Sequence, residues 1–311
     1  YTAAEIKVLE GLEGVRKRFD VVELSKKIRK KGDILILSKE LKIKPRSLQL
    51  AVDEGRILRM FPYIEKSKAG ILARLRTDRE VRIFAEKYDL KKTSARKLTK
   101  LIRQWNWEIQ KNPSLLIAPE EHDLIIGSLI GDASIRQREK NSCFRVSHSI
   151  KQKEYSEWKK QLLKEFNISE FREIKRRIRN VFIHAIDFST KTHPVFNYYR
   201  RLFYPTGRKK VTKEILKQLN PKSLAIWICD DGSYDNRQGY ITLCTNSYTL
   251  EEHKLMKDFF IEKFSLEPTI GFRDGKYYYL RFKQNDTKKL IDIVRHFIPK
   301  SMLYKIGEKN E

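Results

Sequence analysis

Ile125-Ile126-Gly127-Ser128-Leu129-Ile130-Gly131-Asp132-Ala133 and Leu224-Ala225-Ile226-Trp227-Ile228-Cys229-Asp230-Asp231-Gly232 each run an apolar helical stretch straight into an aspartate. A carboxylate at the C-terminal end of a helix sits where the macrodipole is already negative, so its placement costs energy unless a cation lies nearby. Two such helices side by side double that cost. The arrangement makes sense if Asp132 and Asp231 meet around bound divalent ions, because hard cations such as Mg²⁺ take carboxylate oxygens and leave coordination positions for water and phosphate.

Outward from these stretches the chain repeats itself from Pro119 on, with the two copies offset by 99 residues from Asp132 to Asp231. Each copy predicts a motif helix, a strand pair, a helix, a second strand pair and a closing helix. In copy one these are Pro119 to Asp132, the strand Cys143 to Ile150, the helix Gln152 to Phe166, the strands Glu173 to Arg179 and Val181 to Phe188, and His193 to Phe203. In copy two they are Pro221 to Asp231, Tyr240 to Ser247, Leu250 to Phe264, the strands Pro268 to Phe272 and Tyr277 to Lys283, and Thr287 to Phe297. Pro119 and Pro221 suit a first helical turn, Asn220 is a good N-cap, and Glu120 and Glu121 complement the positive end of the dipole. Both motif helices carry small residues four apart, Gly127 with Gly131 and Ala225 with Cys229, which lets two backbones approach closely.

Residues 1 to about 117 read as mostly helical. Two stretches, Leu37 to Val52 and Ile83 to Leu98, resemble a helix, a tight turn and a second helix. In a helix-turn-helix the second helix enters the major groove, so Arg46, Ser47 and Gln49, or Thr93, Ser94 and Arg96, are the residues expected to face DNA. Asn112-Pro113-Ser114 breaks the helical pattern, because Pro113 cannot sit in a helix interior and biases Asn112 away from the α region. The expected division is residues 1–117, 118–210 and 211–311.

With 311 residues the chain can bury a substantial core. Its formal net charge of +26 exceeds anything fold stability requires and points to a polyanionic partner, nucleic acid first. No apolar run of membrane-spanning length and no signal-peptide architecture is present, so the expectation is a soluble, intracellular protein of the cytoplasm, nucleoid or an organelle matrix, without a membrane partner. Cys143, Cys229 and Cys244 form no CxxC pair and imply neither a zinc ribbon nor a disulfide scaffold, leaving them as reduced core residues. None of the six histidines has helical ligand spacing, and His148 and His184, in apolar strand-like runs, are expected to be satisfied structural residues.

The two motifs resemble those of the LAGLIDADG homing endonucleases, and within that family the single-chain intron-encoded mitochondrial enzymes. Gly131-Asp132-Ala133-Ser134-Ile135-Arg136, Leu243-Cys244-Thr245-Asn246-Ser247-Tyr248-Thr249 and Met302-Leu303-Tyr304-Lys305 carry the same resemblance, which covers roughly Pro119 to Gly307. It implies an α+β fold in which two pseudo-symmetric αββαββα repeats form a DNA-binding saddle, here preceded by an all-α, helix-turn-helix-like domain. The motif helices would form the interface of this pseudo-dimer, and each strand pair would join a curved sheet laid in the groove with alternate residues facing the bases.

The resemblance also implies a monomeric, site-specific double-strand DNA endonuclease acting on a long asymmetric target with two or three Mg²⁺ or Mn²⁺ ions. Asp132 and Asp231 would hold the metals with Gly131 and Asp230 beside them, and Asp230 itself is expected to point elsewhere on the helix and to support or cap. The ions would polarise the phosphates, generate the attacking hydroxide and stabilise the leaving oxyanion, with no protein nucleophile. Lys210 and Lys305, 78 and 74 residues after their aspartates, are the expected catalytic lysines. Ser149 and Asn246 match the positions that organise water, although Ser149 replaces a longer Glu or Gln, which hints at slower cleavage unless a water bridges the gap. Sequence recognition falls to Arg136, Arg138, Arg145, Arg176, Arg177 and Arg179 in copy one and to Arg237, Gln238, Arg273, Tyr279, Arg281 and Lys283 in copy two, with Arg46 and Arg96 as DNA contacts of the helical domain. Two other readings of the scaffold are a transcriptional regulator that no longer cuts and a maturase that binds intron RNA.

Overall fold

The structure, a computed structural model, describes residues 11–17, 19–28, 31–178 and 181–308. The chain forms two compact units that divide between Trp107 and Glu108, within the helix Ala95–Lys111. That helix ends where the sequence demands it. Asn112 is extended and Pro113 opens a short 3₁₀ turn.

The first unit is helical. Its helices Lys31–Glu40 and Pro45–Met60 are joined by four residues, and Asp78–Lys87 is followed after a short turn by Ala95–Lys111. Leu48, Ala51 and Val52 pack with Leu12, Val15, Val21 and Leu24 in one apolar cluster. Arg46 and Arg96 are exposed, but Ser47 is fully buried and Thr93 nearly so. Ser47 and Thr93 are therefore core-facing, a correction to the expectation that they face DNA. Gln49 is half-buried and its amide donates to Asp53 on the same helix, while Ser94 accepts from Lys97 N as an N-cap does.

The second unit contains the repeat. Copy one runs α1 (Pro119–Ile130), β1 (Ser134–Gln137), β2 (Ser142–Ser149), α2 (Lys153–Leu162), β3 (Arg172–Ile178), β4 (Val181–Ser189) and α3 (Phe196–Phe203). After the short α4 (Lys213–Lys217), copy two runs α5 (Pro221–Asp231), β5 (Gly232–Asp235), β6 (Tyr240–Leu243), α6 (Leu250–Phe264), β7 (Thr269–Arg273), β8 (Tyr277–Phe282) and α7 (Gln284–Val294). Each copy folds as αββαββα, with antiparallel sheets in the orders β1-β2-β4-β3 and β5-β6-β8-β7.

Local chemistry sets the helix starts. Glu121 accepts from Ala118 N at 2.9 Å in front of Pro119, and Asn220 and Ser223 exchange reciprocal bonds of 3.0 and 2.8 Å around Pro221. Thr249 and Glu252 form the same box at α6. In both sheets alternate residues face the helices: Phe144, Val146, Ile186 and Phe188 in the first, and Ile241, Leu243, Leu280 and Phe282 in the second, all buried. The opposite faces are left to polar side chains.

The motif helices α1 and α5 pack against each other at the centre. A Cβ on Gly127 would lie 2.3 Å from the Ser223 carbonyl oxygen, and one on Gly131 would lie 2.5 Å from Asp230 Cβ. Gly127 is thus required by the backbone approach that the small-residue pattern predicts, and Gly131 by the Asp230 side chain packed against it. Asn220 Nδ2 donates to Asp123 at 2.7 Å near the helix starts, and Tyr248 Oη donates to Ile130 O at 2.6 Å near the end of α1. No helix among the described residues is long and apolar enough to cross a membrane.

Replacing Gly127 with valine forces the helices apart against a backbone oxygen that cannot move alone. The expected cost is about 1–3 kcal/mol, the range for overpacking a filled core. A lowered urea midpoint with an unchanged m-value is the measurement that checks it; an unchanged midpoint would refute the close packing at this position.

Candidate active site at the ends of the motif helices

The two motif aspartates emerge at the C-terminal ends of α1 and α5 and, with Asp230, border a cavity of about 420 Å³. Gly232, Ser233, Tyr234, Cys244, Tyr304 and Lys305 complete its lining. Three carboxylates at two helix C-termini repel one another. Burial, followed by the charges of Asp132 and Asp230, pushes Asp231 well above the usual carboxylate range, against the opposing bond from Trp227 and the charge of Lys209. Asp132 goes the other way. Its surroundings disfavour charge, but the His148 imidazole and, beyond it, Lys159 and Lys209 outweigh that and hold Asp132 below the ordinary value.

Each helix end is also met by a lysine. Lys209 Nζ donates to the carbonyls of Leu129 (2.9 Å), Gly131 (2.7 Å) and Ala133 (3.0 Å), and Lys305 Nζ to those of Gly232 (2.8 Å) and Asp230 (3.4 Å). Cations here satisfy orphan carbonyls and oppose the negative end of each dipole. Lys209 is desolvated, which lowers its pKa, while Asp231, Asp132 and Asp230 oppose the shift. Lys209, and not Lys210, is therefore the counterpart of Lys305. Lys210 donates its backbone N–H to Phe203 O; in Arg208-Lys209-Lys210 spacing alone could not choose between two adjacent lysines.

Asp230 does not open into the cavity as a free ligand. Its side chain is fully buried, with Lys159 Nζ at 2.7 and 3.0 Å and Tyr155 Oη at 2.9 Å, and it accepts from Asp132 N at 3.3 Å. This corrects its sequence-based grouping with the metal-binding carboxylates and agrees with the expectation that it points elsewhere. Burial and then the neighbouring Asp230 charge push the Tyr155 hydroxyl up, which keeps it protonated and donating. Lys159 went unnoticed in the sequence although it lies on the apolar side of α2 with Tyr155 and Leu163. A lysine at the buried spacing of an amphipathic helix was the available signal.

Ser149 and Asn246 stand at equivalent register, four residues beyond the paired Arg145 and Thr242. Both are exposed, and neither lines the cavity. Ser149 Oγ accepts from Lys151 N at 3.4 Å and caps the 3₁₀ turn that follows β2. The side chain that does reach the first site is its neighbour His148, fully buried, with Nδ1 3.5 Å from Asp132 and Nε2 3.8 Å from Asp230. Neither ring nitrogen has a hydrogen-bond partner, so His148 is not the satisfied structural histidine expected. His184 faces Glu173 at 3.3 Å on the other side of the sheet from Arg172.

The polar face of the first sheet carries Arg136, Arg138, Arg145 and Arg172 around a cavity of about 340 Å³. Asp187 clamps two of them, accepting from Arg145 Nε at 2.9 Å and from Arg172 Nε at 3.0 Å. Arg177 is an odd number of residues from Arg172 and so lies on the opposite face, a departure from its expected grouping with the base readers. Arg176 pairs with Ile183 in the β3–β4 ladder; Arg179 lies outside the described residues. In the second sheet Tyr279 and Arg281 share a face, and the Arg281 guanidinium sits over the rings of Tyr240 (4.6 Å) and Tyr279 (5.2 Å). Gly271 makes room for Tyr279, since a Cβ there would lie 2.1 Å from the ring. Arg273 ends β7, Lys283 precedes α7, and Arg237 and Gln238 sit exposed in the β5–β6 turn with their N–H groups on Asp235. Arg172, Asp187 and Tyr240 were missed because their relevance depends on cross-strand register.

Among the described residues no group of three or more His, Cys, Asp or Glu side chains could hold a metal ion by itself. The donor chemistry nonetheless fits a hard divalent cation: carboxylate oxygens from Asp132 and Asp231, one at each helix end, bordering one cavity. Such an ion would need water or a partner's oxygens to complete its coordination.

A family model for the LAGLIDADG DNA endonuclease family matches residues 122–290, more than half of the chain. The intron-encoded endonuclease ai4 of Dictyostelium discoideum is 33% identical over 127 residues, 40% of this chain and 77% of that protein. The RecA protein of Mycobacterium shimoidei is 27% identical over 207 residues, 61% of this chain and 47% of its own length, so the chain spans about half of that relative. Among solved structures, the homing endonuclease I-WcaI bound to its DNA recognition sequence aligns with a TM-score of 0.57 and 21% identity, over 62% of this chain and 88% of that one. Two αββαββα repeats, motif helices packed against each other at the centre and an aspartate at each helix end are thus joined by a match to one sequence family, and the chain belongs to the LAGLIDADG DNA endonuclease family.

Proposed function

We propose that the protein is a site-specific double-strand DNA endonuclease that hydrolyses phosphodiesters with divalent metal ions held at Asp132 and Asp231. The single observation that carries this reading is the retention of one carboxylate at each of two adjacent helix ends beside a shared cavity, with a lysine fixed at each. A scaffold kept only for binding has no use for Asp132 and Asp231, two carboxylates set against the negative ends of two helix dipoles. Bound there, Mg²⁺ or Mn²⁺ would polarise a phosphate and lower the pKa of a coordinated water.

The chain's own groups supply the rest. Asp132 and Asp231 would hold the ions, and Lys209 and Lys305 would add positive charge where the phosphorane develops negative charge. Water attacks phosphorus and loses a proton to solvent, the P–O bond to the leaving strand end breaks, and that oxygen leaves as an alkoxide that takes up a proton from solvent. Two sites acting on two strands give the double-strand break. The arginine-rich face of the first sheet and the Arg281–Tyr240–Tyr279 group of the second would lie against the grooves, where guanidinium groups pair with guanine edges or phosphates. The net charge of +26 supports a polyanionic DNA partner, and exposed Arg46 and Arg96 would add contacts from the helical unit.

Incubating the protein with a randomised duplex library and Mg²⁺, then sequencing the cut ends, tests this reading. Discrete ends at one long, imperfectly palindromic site are expected. Asp132→Asn and Asp231→Asn should each abolish double-strand cleavage while leaving binding within about threefold, since uncharged isosteres keep the fold. Specific retention of DNA without cutting in either Mg²⁺ or Mn²⁺ would refute it. On the same target, Arg281→Ala should cost about 1–3 kcal/mol at one base-pair position if it reads a guanine, and a uniform loss across sequences would make it a phosphate contact.

A further inference from the structure

The two aspartates are supported by different partners. Asp231 is oriented from within its own helix: Trp227, four residues earlier, donates from Nε1 to Asp231 Oδ2 at 3.0 Å. The residue four before Asp132 is Ser128, too short to copy that bond, and its buried hydroxyl has no partner. What stands beside Asp132 instead is His148, 3.5 Å from Oδ2 with 1% of its side chain exposed. In the second half the equivalent register position, three residues past Thr242 as His148 is three past Arg145, holds Thr245. Thr245 is already committed to His253 at 2.7 Å, so neither half contains the other's device.

The surroundings of His148 are equally one-sided. Its second nitrogen faces Asp230, which is held by Lys159 and Tyr155 of the first half although it belongs to the second motif. Counting seven residues from the helix N-caps Gln152 and Thr249, the counterpart of Lys159 is Met256. The counterpart of Asp230 is Gly131, whose missing Cβ leaves the room that Asp230 fills. A buried Lys159–Asp230–Tyr155 cluster therefore backs the first site alone. The buried imidazole thus has a carboxylate facing each nitrogen, Asp132 at 3.5 Å and Asp230 at 3.8 Å, and no closer polar partner.

We propose that His148 is the positioning residue of the Asp132 centre, backed by the Asp230–Lys159–Tyr155 cluster and confining the Asp132 carboxylate by close charge contact where Trp227 confines Asp231 by a hydrogen bond. The proposal rests on the endonuclease reading. It makes the two centres chemically unequal, so that loss of His148 slows cleavage of one DNA strand and spares the other. Removing a group that orients a metal-binding carboxylate typically costs 10–100-fold in metal affinity or activity.

The test uses the full chain on its own target duplex with each strand end-labelled separately. His148→Phe keeps the ring volume without the nitrogens, and His148→Gln restores a hydrogen-bonding group. The expected result for His148→Phe is a 10–100-fold slower cut on one strand, accumulation of nicked product, unchanged DNA affinity and partial recovery in His148→Gln. Equal slowing of both strands, which a general loss of structure would produce, or no slowing at all, would overturn the proposal. Mn²⁺ uptake by the protein–DNA complex, followed by electron paramagnetic resonance, reads the same site without turnover. Parent protein that takes up Mn²⁺ but cuts neither strand would sink the endonuclease reading alone, and Mn²⁺ uptake unchanged in His148→Phe would sink the role of His148 alone.

Discussion

The structure depends on bringing two apolar helices into contact and ending both of them on negative charge. α1 and α5 approach so closely that Gly127 and Gly131 cannot bear a side chain, which makes their crossing the hinge of the whole repeat. Packing alone would favour neutral ends. Asp132, Asp230 and Asp231 instead crowd the C-terminal side, where each helix dipole adds to the repulsion. Everything around the site answers that charge: Lys209 and Lys305 on the backbone carbonyls, Lys159 on Asp230, Trp227 and His148 beside the motif aspartates.

These responses differ in what they cost. Lys209 and Lys305 satisfy carbonyls that any helix terminus must satisfy, which offsets part of the desolvation that burial imposes on Lys209. Lys159 and Asp230 are fully buried as an ion pair, a device that seldom gains stability over apolar side chains of the same volume and loses about 3–5 kcal/mol when one partner is removed. Its presence in one half only, opposite Met256 in the other, argues that it serves placement and not general stability. The pair ties the end of the second motif to α2 of the first half, and Asp230 also accepts from Asp132 N.

Much of the architecture was legible in the sequence because it is written in local terms. The αββαββα repeat follows from alternation, helical spacing and helix-start signals such as Asn220 before Pro221. The close helix crossing follows from glycines four apart. The motif aspartates are legible for the same reason, being tied to the ends of recognisable helices. What the sequence hid is whatever depends on the direction of a side chain across elements. Lys209 and Lys210 are neighbours of one type, and only the path of the loop after α3 decides which turns inward. Ser149 and His148 are adjacent in one strand, and a shift of one residue exchanges the exposed side chain for the buried one. Arg172 and Arg177 divide between two faces for the same reason.

The asymmetry was harder to read because the repeat itself conceals it. Aligning the copies on their aspartates makes Gly131 and Asp230 look like an incidental difference, and likewise Ser128 and Trp227. In space these two differences are complementary. The glycine leaves the volume that the extra carboxylate occupies, and the serine leaves Asp132 without the bond that the tryptophan gives Asp231, which is where His148 enters. A duplicated fold whose halves have diverged this way is no longer two copies of one site. It is a single charge network shared by two helix ends, so a change in either motif is felt first in the half to which its side chain points, not in the half to which its residue belongs.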